Sequence, residues 1–71
     1  LGFAATPDKQ AGPLSLDQAV ARVRKAHPKA EIVSAESRDT ERGRIHVVKV
    51  LRQNGKLKVY RFDAETGAEL D

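Results

Sequence analysis

Residues 56–70 read KLKVYRFDAETGAEL, in which side chains alternate up to Phe62 and then enter a polar turn. The alternation predicts a β-strand over residues 57–62. In the turn, the Asp63 carboxylate can accept from backbone amides and Gly67 can take a left-handed conformation. Leu70 then restarts an apolar pattern, which predicts a very short last strand.

A second β-rich segment, residues 44–52, precedes this strand and is joined to it through Asn54-Gly55. Asn-Gly is the strongest short signal for a β-hairpin, because both residues tolerate positive φ. Two registers are open. A two-residue turn pairs Val50 with Val59 and Val47 with Phe62. A turn with a one-residue bulge instead gathers four residues on one face: Val48, Val50, Tyr60 and Phe62.

A capped helix is predicted near the start of the domain. Ser15 is a strong N-cap candidate, Gln18 completes a capping box, and Asp17 suits the positive end of the helix dipole. Pro28 ends the helix, because the residue before a proline disfavours helical geometry. One apolar stripe recurs at helical spacing: Leu16, Ala19, Val20, Val23, and Ala26 or His27.

A further short strand is predicted at Glu31–Glu36, followed by a polar loop at Arg38–Gly43. The element order is α-β-β-β, with a fourth strand if Leu70 pairs. We therefore predict an α+β fold in which a single N-terminal helix packs on one face of a three- to four-stranded antiparallel sheet. Residues 1–13 carry no periodic pattern and are predicted to be a flexible N-terminal segment or linker, with the domain at 14–71.

The composition indicates one small domain of 71 residues without cysteine, so that no disulfide reinforces its core. No apolar run approaches a transmembrane span, and the N-terminal residues do not form a signal peptide. The net charge of +3 is unevenly distributed. Residues 44–62 hold six bases and no acid, whereas residues 63–71 hold four acids and no base. We expect a solvated basic hairpin partly neutralised by the adjacent acidic segment.

The sequence contains no recognisable catalytic or metal-binding motif. His27 and His46 fall on different elements and have no companion ligands at metal-site spacing, so we expect a helix-end residue and a half-buried strand residue. The serines have no evident base beside them, and the glycines are spaced as turn residues. We expect a non-enzymatic protein without a cofactor.

The sheet has more apolar surface than one short helix can cover. Under the bulged register, the uncovered face consists of seven residues: Ile45, Val47, Lys49, Leu51, Leu57, Val59 and Arg61. This face is the predicted partner surface, unless these are only scattered half-exposed strand residues.

The order and spacing of these elements resemble the PepSY domain family. The resemblance covers residues 14–71 and rests on the capped helix, the His-Pro-Lys-Ala break at 27–30, the Val48 and Val50 alternation, the Asn-Gly-Lys turn and the FDAETG segment at 62–67. It implies a helix-on-sheet fold and a location in the bacterial cell envelope, either periplasmic or secreted. It also implies a partner-binding role, which in propeptides restrains a peptidase, and it carries no catalytic residues.

The leading hypothesis is a non-enzymatic protein-binding module whose partner is a peptidase or another envelope protein. The alternative is a structural domain that dimerises or packs on a neighbour. Nucleic-acid binding is disfavoured, because a sheet that stacks bases needs exposed aromatic residues and the core requires Tyr60 and Phe62.

Overall fold

A computed structural model describes residues 12–70 as one helix and an antiparallel sheet. The strands lie in the order β1-β2-β3-β4. The predicted α+β fold is confirmed, with the fourth strand present. The predictions for residues 1–11 and for residue 71 lie outside the described residues. The elements are α1 (Leu16–Ala26), β1 (Glu31–Thr40), β2 (Gly43–Leu51), β3 (Leu57–Asp63) and β4 (Glu69–Leu70).

Helix α1 begins with the predicted capping box. The Gln18 amide donates to the Ser15 hydroxyl at 3.1 Å, and the Ser15 amide donates to the Gln18 side-chain oxygen at 2.8 Å. Two amides of the first turn, which have no partner within the helix, are thereby satisfied. The helix ends at the C-cap His27, immediately before Pro28. Its 11 residues are too few for independent stability, so that the helix depends on its contact with the sheet.

Strand β1 is longer than predicted, and the predicted loop at residues 38–43 is wrong. The strand continues to Thr40, which pairs with Gly43, leaving a tight turn at Glu41 and Arg42. The Thr40 hydroxyl donates to the Gly43 carbonyl at 2.7 Å and accepts from the Arg42 amide at 3.2 Å. Pairing with β2 therefore overrides the low strand propensity of these polar residues.

The β2–β3 hairpin adopts the bulged register. Val48 pairs with Tyr60 and His46 pairs with Phe62, so the register of the two-residue turn is wrong. The Arg52 amide donates to the Lys56 carbonyl at 2.9 Å, which leaves residues 53–55 as the loop. Gly55 takes φ 83°, a left-handed conformation that closes such a three-residue loop.

The β3–β4 turn has the predicted chemistry. The Asp63 carboxylate accepts from the amides of Glu65 at 2.8 Å and Thr66 at 3.2 Å, and Gly67 takes φ 77°. The Gly12 amide donates to the Thr66 carbonyl at 3.1 Å, and the Leu14 amide donates to the Ala64 carbonyl at 2.8 Å. The segment before the helix is thus hydrogen-bonded to this turn.

The core lies between α1 and the sheet. Val48 and Val50 are fully buried, and Phe62 joins them from β3. Partly buried residues of α1, β1 and β3 surround this cluster. The buried apolar residues are Leu14, Ala19, Val23, Val48, Val50 and Phe62.

His46 is more deeply buried than the half-buried position predicted for it, with 4% of its surface exposed. Its Nε2 lies 2.6 Å from the Leu14 carbonyl oxygen and its Nδ1 lies 2.8 Å from the Ser37 hydroxyl. Because a carbonyl can only accept, Nε2 carries the hydrogen and donates. The histidine therefore ties the residue before the helix cap to the middle of the sheet.

Replacing a valine on each face of the sheet by alanine should show which face is buried, because the loss of stability differs between core and surface. We expect Val48→Ala to reduce the free energy of unfolding by about 2–3 kcal/mol, because it leaves a cavity under α1. Val59→Ala, in the neighbouring strand but pointing away from the helix, should cost less than about 1 kcal/mol. Urea unfolding of both variants checks this. Equal losses would contradict the assignment of the faces.

Replacing His46 should be costly for a different reason. His46→Leu keeps an apolar side chain in the core but leaves the buried Leu14 carbonyl without its donor, which we expect to cost about 1–3 kcal/mol. Ser37→Ala is the matched control, since Ser37 is exposed and water can replace its hydroxyl. If Ser37→Ala lowers the stability measured by thermal unfolding as much as His46→Leu does, the hydrogen bond to Leu14 is not the reason for the cost of replacing His46.

Candidate protein-binding surface

The face of the sheet opposite α1 is called here the outer face. Residues that pair across antiparallel strands point to the same side, and successive residues point to opposite sides. Val48 and Val50 lie under the helix, so the residues next to them in β2 point away from it. The residues of β1 and β3 that pair with those neighbours point away from the helix as well. All seven residues predicted as a partner surface lie on this face: Ile45, Val47, Lys49, Leu51, Leu57, Val59 and Arg61.

The hairpin end of the outer face is its most apolar part. Leu51 and Leu57 pair directly, with 37% and 60% of their surfaces exposed, and Val59 follows at 45%. Ile45 and Val47, nearer the other end, are half-buried between neighbouring side chains. Large aliphatic side chains therefore adjoin one another in water at one end of the sheet, an arrangement that favours contact with another apolar surface.

The sequence did not predict that Val33 would belong to the exposed apolar residues. The pairing of β1 with β2 shifts between Ile32 and Ser34, so Val33 is the extra residue of a β-bulge. It is 51% exposed. Alternation alone could not identify it, because a bulge interrupts the period of two on which that reasoning depends.

The opposite end of the outer face is polar and shallowly concave. β4 brings Leu70 beside Arg61, and Ile45 and Asp63 form a neighbouring pair. The depression between them is completed by the β1–β2 turn. Its lining residues are Thr40, Arg42, Ile45, Arg61, Asp63 and Leu70.

Among the strand residues of the outer face, acids and bases are equal in number. The acids are Glu31, Glu36 and Asp63, and the bases are Arg38, Lys49 and Arg61. Glu36 and Arg38 form an exposed ion pair at 2.8 Å. The excess positive charge of the chain therefore lies elsewhere, on the helix and around the hairpin loop.

Another surface ion pair in the described part of the chain joins Arg44 to Asp39 at 3.0 Å. The hydrogen bond to Asp39, with the charge of that carboxylate, raises the pKa of Arg44 above its ordinary value. Arginine is protonated at physiological pH in any case, so this shift changes no charge.

The serine and histidine contacts do not form a catalytic centre. No base was predicted near Ser37, yet its hydroxyl contacts His46. A serine nucleophile needs a base that is oriented by a third group and reaches substrate. Here the third group is the neutral Leu14 carbonyl, and the ring is buried. The hydrogen bond between Ser37 and His46 helps to hold the buried ring in place against Leu14.

The side chain of His27 packs against the ring of Tyr60. Its Nε2 is 3.0 Å from the Tyr60 hydroxyl, and the two rings stack with centroids 5.1 Å apart. The pair joins the end of α1 to β3. Within residues 12–70, no three histidine, aspartate or glutamate side chains come together as a metal site would require.

In the part of the chain that is described, no helix combines the length and apolarity needed to cross a bilayer.

Of the comparisons with known proteins, the one with protein-family models gives a match. No match was found among curated proteins or among solved structures. The family model described as "Peptidase propeptide and YPEB domain", PepSY, matches residues 13–71, which include α1 and all four strands. Because this match covers nearly the whole described part of the chain, the chain belongs to the PepSY family.

Proposed function

We propose that this chain is a non-enzymatic protein-binding module of the bacterial cell envelope, periplasmic or secreted, and that it holds its partner on the outer face of its sheet. The observation that carries the proposal is the row of exposed aliphatic residues at the hairpin end, Leu51, Leu57 and Val59. A protein surface is the partner that would remove these side chains from water, at about 25 cal/mol per Å² of apolar area buried.

A peptidase is the partner class that we propose first. PepSY domains are generally propeptide or regulatory modules, and the family description names peptidase propeptides. A small domain with an exposed sheet can restrain a peptidase by occupying its surface, and this needs no catalytic residue of its own. Domains of this family are typically extracellular or envelope domains, which supports the proposed location.

Nucleic acid remains a disfavoured partner. Tyr60 and Phe62 are the aromatic residues within 12–70, and both lie on the helix side of the sheet. Phe62 is buried, and the Tyr60 hydroxyl contacts His27. Neither ring is available on the outer face to stack on a base.

A second candidate function is homodimerisation through the same face. Its support is the equal number of acids and bases among the strand residues of that face, because two copies of a charge-balanced strand surface can meet without net repulsion. A two-fold sheet-on-sheet contact would bury the same aliphatic residues. The two candidates differ in whether a foreign protein is required.

A lysine on the outer face should abolish partner capture. We expect Val47→Lys and Leu57→Lys each to lose a protein that the wild-type domain captures from bacterial envelope extract, because the buried ammonium would be unpaired. Ala21→Lys is the matched control, since Ala21 is exposed on α1 and the added charge is identical. Circular dichroism verifies that all three variants fold.

Two results would contradict the proposal. One is capture of the same protein by folded Val47→Lys and Leu57→Lys domains, which would exclude the face. The other is loss of capture in Ala21→Lys, which would show that positive charge in general, not the outer face, decides binding.

Sedimentation velocity distinguishes the second candidate. If the outer face closes a homodimer, the mass should rise towards twice 7.8 kDa with concentration, and Leu57→Lys should return it to the monomer. A wild-type mass that stays monomeric at hundreds of micromolar would exclude the homodimer.

A further inference from the structure

A cleft lies at the hairpin end of the domain, on the helix side of the sheet. One wall is the end of α1 with the turn that follows it, residues 26–30, and the other is the β2–β3 loop, residues 52–54. The volume of the cleft is about 440 Å³, which is within the range of sites that hold small molecules. His27, Lys29 and Arg52 line it, and no acid is among its lining residues in the described chain.

The lysine and the arginine of the cleft have no counter-charge. Within residues 12–70, neither the Lys29 ammonium nor the Arg52 guanidinium forms an ion pair or a hydrogen bond. Glu31 follows the first wall in the sequence, but it pairs with Leu51 and therefore points to the outer face. The positive charge of the cleft is thus balanced by no carboxylate of the described chain.

Further bases adjoin Arg52 at the start of β3. The Arg52 amide donates to the Lys56 carbonyl at 2.9 Å, which places these two like-charged residues opposite each other. Lys58 pairs with Val50 and so lies on the helix side as well. Like charges in opposite positions destabilise a sheet. A bound anion would offset this repulsion, so the arrangement favours a negatively charged ligand.

The charge of the helix end is compensated beside the cleft. The last carbonyls of a helix carry a partial negative charge, which by itself disfavours an anion. Arg24 and Lys25 lie in the last turn of α1 and offset this charge. The His27 amide also donates to the Val23 carbonyl at 2.8 Å, so that part of the helix end is already hydrogen-bonded.

The side chains of the cleft suit a phosphoryl group. A guanidinium offers two parallel N–H groups to two oxygens of a phosphate, and a lysine ammonium adds a point charge. The combined charge of Arg52 and Lys29 matches that of a phosphate monoester near neutral pH. Asn54 accepts from the Lys56 amide through its Oδ1 at 2.9 Å, which leaves its NH₂ group as a further donor. The apolar lining residues, which can contact the carbon part of an ester, are Ala26, Pro28 and Ala30.

We propose that this cleft binds a phosphate ester, with Arg52 and Lys29 holding the phosphoryl oxygens. The ester is a free phosphorylated small molecule or the headgroup of an anionic phospholipid, and the phosphoryl contacts are the same for both. The inference does not rest on the proposed function, because the cleft lies on the helix side of the sheet and the partner surface on the outer face.

Titration of the ¹⁵N-labelled chain tests the cleft with a free ester. The probe is glycerol 3-phosphate, acetate is the carboxylate comparison, and sodium chloride keeps the ionic strength constant because salt screens exposed charges. We expect glycerol 3-phosphate to give saturable shifts of the Lys29, Gln53 and Asn54 amides. Acetate should bind about tenfold more weakly or worse, because it has fewer oxygens and less charge.

Arg52→Gln removes the guanidinium and should weaken the binding of glycerol 3-phosphate about tenfold or more. Arg42→Gln is the matched control, since Arg42 is exposed in the β1–β2 turn at the other end of the sheet and the lost charge is identical. Thermal unfolding gives a second readout. Glycerol 3-phosphate should raise the midpoint of the wild type and of Arg42→Gln but not that of Arg52→Gln, because a ligand stabilises the fold that binds it.

Co-sedimentation with vesicles distinguishes the two sources of the ester. If the ligand is a lipid headgroup, the wild-type chain should sediment with vesicles of phosphatidylglycerol and phosphatidylcholine but not with phosphatidylcholine alone. Arg52→Gln should then sediment less than Arg42→Gln. If glycerol 3-phosphate binds and neither vesicle does, the ester is a free small molecule. Both results support the cleft as a phosphate-ester site.

Three outcomes would overturn the inference. They are equal affinity of the wild type and Arg52→Gln for glycerol 3-phosphate, an equal loss of affinity in Arg42→Gln, and no saturable shift at tens of millimolar. Each of them leaves the outer-face function standing, because Val47→Lys and Leu57→Lys test that function on the other side of the sheet.

Discussion

Within residues 12–70, one 11-residue helix covers a sheet of four strands, and this ratio decides which strand residues are buried. The helix is held through Leu14. Its side chain lies in the core, its amide bonds to the β3–β4 turn, and its carbonyl accepts from the buried His46. With the helix fixed at this point, Val48, Val50 and Phe62 are covered. Every residue of opposite parity in β2 and β3 is then left on the outer face.

The outer face is therefore a consequence of size as well as a candidate interface. A domain this small buries a limited share of its surface, and its strands need β-branched and aliphatic residues for pairing on both sides. What distinguishes this face from ordinary strand exposure is the adjacency of Leu51, Leu57 and Val59 at the hairpin end. Scattered exposed apolar residues are common in proteins, whereas a contiguous group favours a partner.

Local signals in the sequence predicted the helix cap, the hairpin loop and the β3–β4 turn, because each depends on residues within a few positions. The capping box of Ser15 and Gln18 and the left-handed Gly55 are of this kind. The extension of β1 to Thr40 and the bulge at Val33 depend on pairing with β2, which no local pattern contains. The burial of His46 likewise arises from its bond to Leu14, 32 residues away.

The candidate surface could be predicted because side chains alternate between the two faces of a sheet. Once the register is known, this alternation assigns each residue of a strand to one face. The sequence left two registers open, and the three-residue loop selects between them. Val33 was missed as an exposed apolar residue and Leu70 as a member of the outer face, since one lies in a bulge and the other in a strand of two residues.

Site-specific photo-crosslinking can determine whether a partner binds on the outer face. p-Benzoylphenylalanine is placed at Val59 in one preparation and at Ala21 on the exposed side of α1 in another, and both are irradiated in bacterial envelope extract. We predict one discrete covalent adduct with another protein from position 59 and none from position 21. An adduct from position 21 alone, or none from position 59, would contradict it.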